Sequence, residues 1–240
     1  MLVALLATAC RADSPRPAEI LIPAGEFIMG CDSAPGCRGG NRRPYVPAYY
    51  IDRTLVRVQD YQRCMVAGVC TERPSGRTGH HWTRRRDTPT ATPLKPDDNA
   101  FVTLDAATIY CRWLGKRVPS PEEWEKAARG RDGRMYVWGN HNHPCIGGSR
   151  DCSQVRSPYG VEEVVNQLQW ADHRSDPDYP RGMGVGHSHE VYARRGTNRL
   201  YDLPHNQHFY FEVAAFRCAR DADPPPAAAR VRWRHWRFGW

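Results

Sequence analysis

The sequence predicts a single loop-rich domain that mixes short strands with short helices and is braced by disulfides. Three observations carry this. The chain has 240 residues with 40% hydrophobic content, enough for one good core and too little for two full-sized domains. Its 20 glycines, 20 prolines and eight tryptophans favour turns pinned by large aromatic anchors over long regular elements. Nine cysteines follow an apolar start, the pattern of a chain that matures in an oxidising compartment.

Taken in order, residues 20–30 (ILIPAGEFIMG) alternate and then turn, which predicts an opening strand pair. Residues 55–67 carry a helical apolar stripe through Leu55, Val58, Tyr61 and Met65, stopped by Gly68. A polar, proline-rich excursion from Thr71 to Asn99 follows, long enough to be a functional loop. Asp105 to Leu114 predicts a second helix, with Leu104, Ala107, Cys111 and Leu114 at three- and four-residue spacing and Gly115 as its stop. Ser120 and Glu123 form a capping box for a third helix, with Pro121 at its first position, Trp124 and Ala127 or Ala128 facing the core, and Gly130 as a left-handed end. Lys126 and Arg129 are expected beside that helix's C-terminal carbonyls. Beyond Gly130, Tyr136–Asn140 and Ser157–Gly160 read as aromatic turns, and the chain to Arg220 has no strong periodicity.

Residues 1–9 (MLVALLATA) form an apolar run too short to span a bilayer and suited to an export signal. Ala7-Thr8-Ala9-Cys10 is similar to a bacterial lipobox, which would make Cys10 the lipidated N-terminus, with an ordinary secretory signal as the other reading. Setting Cys10 aside leaves eight cysteines, which allow 105 pairings. Short spacing favours Cys31 with Cys37, Cys64 with Cys70, and Cys145 with Cys152. Cys111 and Cys218 remain as a long-range clasp. No Cys-x-x-Cys occurs to support a metal or redox reading.

Six ordered blocks carry a family resemblance: Ile22–Gly30, Tyr49–Cys64, Tyr110–Gly130, Tyr136–Asn140, Ser157–Val161 and Phe216–Arg220. Together they resemble the formylglycine-generating enzymes, or sulfatase-modifying factors. The resemblance implies one α+β domain related to the C-type lectin fold, and a Cys111–Cys218 link that agrees with the pairing above. The expected organisation is an export signal at 1–10, a tether at 11–19, the sulfatase-modifying-factor-type domain at 20–220, and a linker with a basic-aromatic tail at 221–240.

The resemblance also implies a copper(I) site built from two thiolates shortly before the closing Phe216-Arg217-Cys218, because copper(I) prefers sulfur donors. Residues 194–215 contain no cysteine, so copper and formylglycine synthesis by that route are not expected, and no catalytic residue is assigned. Several family members bind calcium. Asn166 is the candidate ligand here, but Gln169 stands where the family carries a glutamate, removing charge and a bidentate grip. Other relatives are iron oxygenases. His187 with His189, and His205 with His208, have spacings that could hold iron with Glu190 or Asp202, although hydrogen-bonded surface histidine is the plainer reading.

The formal charge is +8, but four arginines lie in the last eleven residues and three more form Arg84–Arg86. No nucleic-acid reading motif accompanies them, so no nucleic-acid partner is expected. After the Pro/Ala linker, Arg230 to Trp240 (RVRWRHWRFGW) interleaves four arginines with three tryptophans. This is either a segment for an anionic membrane surface or a non-native extension. The functional expectation is an exported, lipid-anchored protein of the periplasm or outer membrane, otherwise secreted. It would bind a peptide or glycan, or act as an accessory module, through the Thr71–Asn99 loop and residues 181–211. The alternative is an oxidoreductase with an atypical metal site.

Overall fold

The computed structural model describes residues 18–29, 42–75, 93–134, 136–140, 154–164, 169–172, 183–185 and 213–222. Strands β1 (Glu19–Ile22), β2 (Gly25–Glu26), β3 (Tyr45–Val46) and β4 (Tyr49–Asp52) precede helices α1 (Val58–Val66), α2 (Leu104–Trp113) and α3 (Pro121–Arg129). Strands β5 (Gln169–Ala171), β6 (Met183–Val185) and β7 (Ala219–Asp221) follow. Among the described residues no helix is long and apolar enough to cross a membrane.

The opening strands are present, but they do not pair with each other as the sequence predicts. β1 pairs antiparallel with β4, which pairs antiparallel with β7, while β2 pairs with β3 in a second sheet. A sequence pattern shows which segments are extended and says little about their partners, because partner choice is made by packing far along the chain. In the three-stranded sheet, the pleat sends Ile20, Ile22, Tyr49, Ile51 and Ala219 into one core cluster, which Trp124, Ala127 and Ala128 of α3 join. The other face carries Glu19, Leu21, Tyr50, Asp52 and Arg220, with the Arg220 guanidinium 4.0 Å from the centre of the Tyr50 ring.

α1 starts at Val58, later than the stripe beginning at Leu55 predicts, and Leu55 is instead buried in a small cluster with Phe101 and Ala215. Thr103 caps α2 through its Oγ1, and Gly115 follows the helix with φ 72°. The α3 capping box forms as its sequence dictates. The Ser120 hydroxyl accepts from the Glu123 amide at 3.2 Å, and the Glu123 carboxylate accepts from the Ser120 amide at 2.8 Å. Lys126 and Arg129 differ from expectation. Both are fully buried rather than poised at the helix end: Lys126 Nζ donates to Pro23 O and Gly25 O, and Arg129 pairs with Glu125 and donates to Arg134 O. The turn between β1 and β2 uses the lysine as its internal cation, an arrangement that a helical pattern does not reveal.

α1 and α2 build a second cluster around Tyr61, Tyr110, Cys64, Cys70, Cys111, Phe216 and Cys218. Tyr61 stacks on Tyr110 with ring centres 5.5 Å apart, and Phe216 meets both rings edge-on. Two disulfides close this cluster, Cys64–Cys70 and Cys111–Cys218. The other predicted pairs, Cys31–Cys37 and Cys145–Cys152, lie outside the described residues, as does Cys10.

Candidate functional site

The region of interest is the approach to Phe216-Arg217-Cys218, where the resemblance places thiolate chemistry. Cys218 is fully buried and spent in the link to Cys111. Its amide donates to Asp52 Oδ2 at 2.9 Å, and Lys116 Nζ reaches Asp52 Oδ1 at 2.6 Å and Glu19 Oε1 at 2.8 Å. Burial pushes the Asp52 carboxyl above its usual value, against the opposing pull of Lys116 and the Cys218 amide. Glu19 feels burial in the same direction, but hydrogen bonds from Arg220 and Lys116 outweigh it and hold this carboxyl below its ordinary 4.5.

Arg217 occupies the middle of this region with no exposed surface. One end of its guanidinium donates to Asp52 O at 3.0 Å and Arg53 O at 3.1 Å, and the other to Glu162 O at 2.8 Å and Glu163 O at 3.2 Å. Its Nε donates to Gln169 Oε1 at 2.9 Å. Burial brings its pKa down to about 10, which leaves it charged at neutral pH. The planar fork therefore ties the end of β4, the 162–163 turn and β5 into one unit. Glu163 is held there at φ 54° while its carboxylate accepts from Leu55 N at 2.9 Å and pairs with Arg57 at 2.8 Å.

Gln169 is the position where the family's glutamate would stand. Its carbonyl oxygen accepts from both Trp124 Nε1 at 3.0 Å and Arg217 Nε, and its amide nitrogen donates to Glu163 O at 2.7 Å. Every group on this side chain is engaged inside the protein, so Gln169 does not fit a calcium ligand. Asn166, the other calcium candidate, lies outside the described residues, as do His187, His189, His205 and His208. Among the described residues no group of three or more His, Cys, Asp or Glu is placed to hold a metal ion.

The second feature is the base of the long loop. Residues 76–92 lie outside the described residues, but both flanks are fastened. Ser75 N donates to Phe101 O, and Glu72 accepts from Thr103 N at 2.8 Å and Thr103 Oγ1 at 2.5 Å. On the returning side, Asp98 O and Pro96 O accept from the first turn of α1. The Cys64–Cys70 ring stands two residues before Glu72, so the segment enters and leaves from a rigid frame. Among the described residues, this region is therefore a buried ionic centre, with fastened flanks on both sides of residues 76–92.

Comparison with known proteins agrees with the fold. A family model described as "Sulfatase-modifying factor enzyme 1-like domain" matches residues 4–169, more than half of the chain, and the chain belongs to this family. It is 42% identical over 196 residues to a formylglycine-generating enzyme of Streptomyces coelicolor, covering 60% of each protein. It is 52% identical over 157 residues to "Inactive C-alpha-formylglycine-generating enzyme 2" of Bos taurus, covering 52% of this chain and 50% of that protein. The chain thus spans about half to three-fifths of the length of these curated relatives. Among solved structures, PvdO from Pseudomonas aeruginosa shares the fold at TM-score 0.52 and 18% identity, covering 86% of this chain and 95% of that one. Treponema denticola variable protein 1 does so at TM-score 0.52 and 16% identity, covering 85% and 95%.

The sequence reading missed Arg217, Asp52, Lys116, Gln169 and Glu72 as the residues that organise this region. Arg217 and Lys116 sit inside recognisable blocks, but a charged residue in a motif is ordinarily read as surface or site. Only the three-dimensional partners show that these two are internal cations.

Proposed function

We propose that this chain is an exported, lipid-anchored binding or accessory domain that does not generate formylglycine. The observation that carries the reading is the fate of sulfur. Cys218 is the only cysteine after Cys152, and it is buried in a disulfide with Cys111. A copper(I) thiol oxidase of the family's kind needs a pair of free thiolates before the closing block, and residues 194–215 supply none. Relatives named "Formylglycine-generating enzyme" and "Inactive C-alpha-formylglycine-generating enzyme 2" both match the chain, so overall similarity does not choose between the readings. The cysteine inventory supports the inactive reading.

Support for binding comes from a disulfide-braced scaffold whose described residues on either side of 76–92 are fastened, and from the sequence of 76–92, which carries His80, His81, Trp82 and Arg84–Arg86. Such a segment suits recognition of a peptide or glycan, since aromatic faces and guanidinium forks contact both. The test is to incubate the purified oxidised chain, with copper(I) and oxygen, against a cysteine-bearing sulfatase peptide and follow aldehyde formation by mass spectrometry. No aldehyde above the protein-free control is expected, and turnover would overturn the reading. Binding is checked on peptide and glycan arrays, where replacing Trp82 and Arg84–Arg86 by alanine should abolish the signal while leaving the melting transition unchanged.

A further inference from the structure

The two outer strands of the three-stranded sheet, β1 and β7, are finished differently. Arg53 N donates to Ala18 O and Asp52 N to Cys218 O, so along β4 the odd-numbered residues bond toward β1 and the even-numbered ones toward β7. Ile20 and Ile22 therefore face β4 with their backbone groups, while Glu19 and Leu21 turn theirs away from it. On the outer side of β7 the equivalent groups are taken, since Ala219 N donates to Arg117 O at 2.7 Å and Arg117 N to Ala219 O at 2.8 Å. On the outer side of β1, no described backbone group bonds those of Glu19 and Leu21. Edges are ordinarily guarded by a free charge, a bulge or a covering segment. Here the one charge, the Glu19 carboxylate, is held by Arg220 at 2.8 Å and Lys116 at 2.8 Å, and Leu21 beside it is 50% exposed. Pro23 stands at the next outward position and has no N–H, so the open ladder ends there.

Two outward-facing residues with one between them are complementary to themselves. We propose that β1 pairs antiparallel with β1 of a second copy of this chain, with Glu19 opposite Leu21 of the partner subunit and Leu21 opposite the partner's Glu19. Each of these pairs exchanges both of its backbone bonds, and the two-fold axis passes between the two Ile20 residues. Ile20 is half-buried at the margin of the core cluster beneath the sheet, so the axis brings two apolar side chains together. This register also sets each glutamate against an apolar residue rather than against its own copy, where like charges would repel. A lone peptide strand would satisfy the same groups only by exposing an edge of its own, whereas a second copy leaves neither β1 open. Because the contact uses the same patch on both subunits, it closes on itself and yields a dimer rather than a fibre.

The experiment uses the oxidised full chain with Cys10→Ser, so that residue 10 carries neither lipid nor thiol. Sedimentation equilibrium is run from about 10 µM to about 1 mM, because so small a contact belongs to the weak range. A reversible monomer–dimer equilibrium is expected, with amide exchange at Glu19 and Leu21 slowing as the dimer forms while exchange at Ile20 stays as it was. Leu21→Pro deletes an outward N–H and no bond to β4, and by symmetry it acts twice, so it should weaken the dimer about tenfold or more. Leu21→Glu keeps every backbone group and sets like charges opposite each other, so it should weaken the dimer about tenfold, whereas Leu21→Lys, facing the partner's Glu19, should not. A chain that stays monomeric throughout this range overturns the proposal. So does a dimer that Leu21→Pro and Leu21→Glu leave at full strength, since it would use another surface. Slow exchange at Leu21 that does not depend on concentration would assign the edge to an occupant other than a second copy and also overturns it. Equal weakening by glutamate and lysine overturns the register.

Discussion

Arg217 shows how a single residue can hold a fold in which regular structure is scarce. Its five donors are divided among four backbone carbonyls and one side-chain amide, which belong to three segments distant in sequence. Removing the guanidinium would leave these acceptors buried without donors, and truncation of buried charged groups of this kind costs about 3–5 kcal/mol. Arg217→Met should therefore lower the unfolding free energy measured in urea by an amount in that range, with the disulfides kept oxidised. Arg217→Lys should recover only a minor part, because one ammonium cannot serve carbonyls at both ends of a planar fork. A lysine variant as stable as the parent would show that charge alone is what the centre requires. Glu19 works in the opposite sense with pH. Its folded pKa lies below the ordinary 4.5, so its contribution is present above that value and is lost as pH falls through the lower, folded one. The stability difference between the parent and Glu19→Gln should accordingly be constant near neutrality and shrink on acidification. A difference that grows toward acid would contradict the assigned sign.

At the scale of elements, legibility followed the range of the interactions. α3 could be read from residues 120–130 alone, because its capping box, first-turn proline and terminal glycine are all local signals, and each forms in the structure. α2 and the Cys64–Cys70 ring were legible for the same reason. The β1–β4 pairing was not, since Ile22 meets Tyr49 across 27 residues and nothing in either segment encodes the other. Nor were the internal roles of Lys126 and Arg217, whose acceptors are backbone carbonyls contributed by remote turns. Of the candidate site, the absence of thiols before Phe216 was plain in the sequence, whereas the use of Gln169 as a bridge between Trp124 and Arg217 needed the packed structure. Two glycines illustrate the same division. Gly68 and Gly133 have nearly the same left-handed φ, 73° and 72°, but a Cβ at Gly68 would meet open space, while one at Gly133 would come within 2.9 Å of Ile28. Alanine at position 68 should cost about 1–2 kcal/mol of backbone strain. Alanine at position 133 should cost more, because Ile28 must also move. Equal melting points for the two variants would show that Ile28 yields freely.

For the whole molecule, the question is what keeps several small clusters acting as one domain. The chain from Ala214 to Ala219 answers it: Ala214, Phe216 and Cys218 belong to the cluster under α1 and α2, Ala215 to the one around Leu55, and Ala219 to the one beneath β4 and α3. This segment threads all three, and the Cys111–Cys218 bond fastens it to α2. Closing a span of 107 residues removes far more freedom from the unfolded chain than closing one of six. Loop-closure entropy places the difference at about 5 against about 2 kcal/mol. Replacing Cys111 and Cys218 together by serine should thus lower the unfolding free energy by more than twice the amount lost when Cys64 and Cys70 are replaced. It should also broaden the transition, because the clusters would no longer share a fixed thread. Urea unfolding of the two double variants, followed by both tryptophan fluorescence and circular dichroism, measures both effects. Equal losses with coincident transitions would mean that packing around Phe216 and the Arg217 centre suffices to unite the clusters without the covalent clasp.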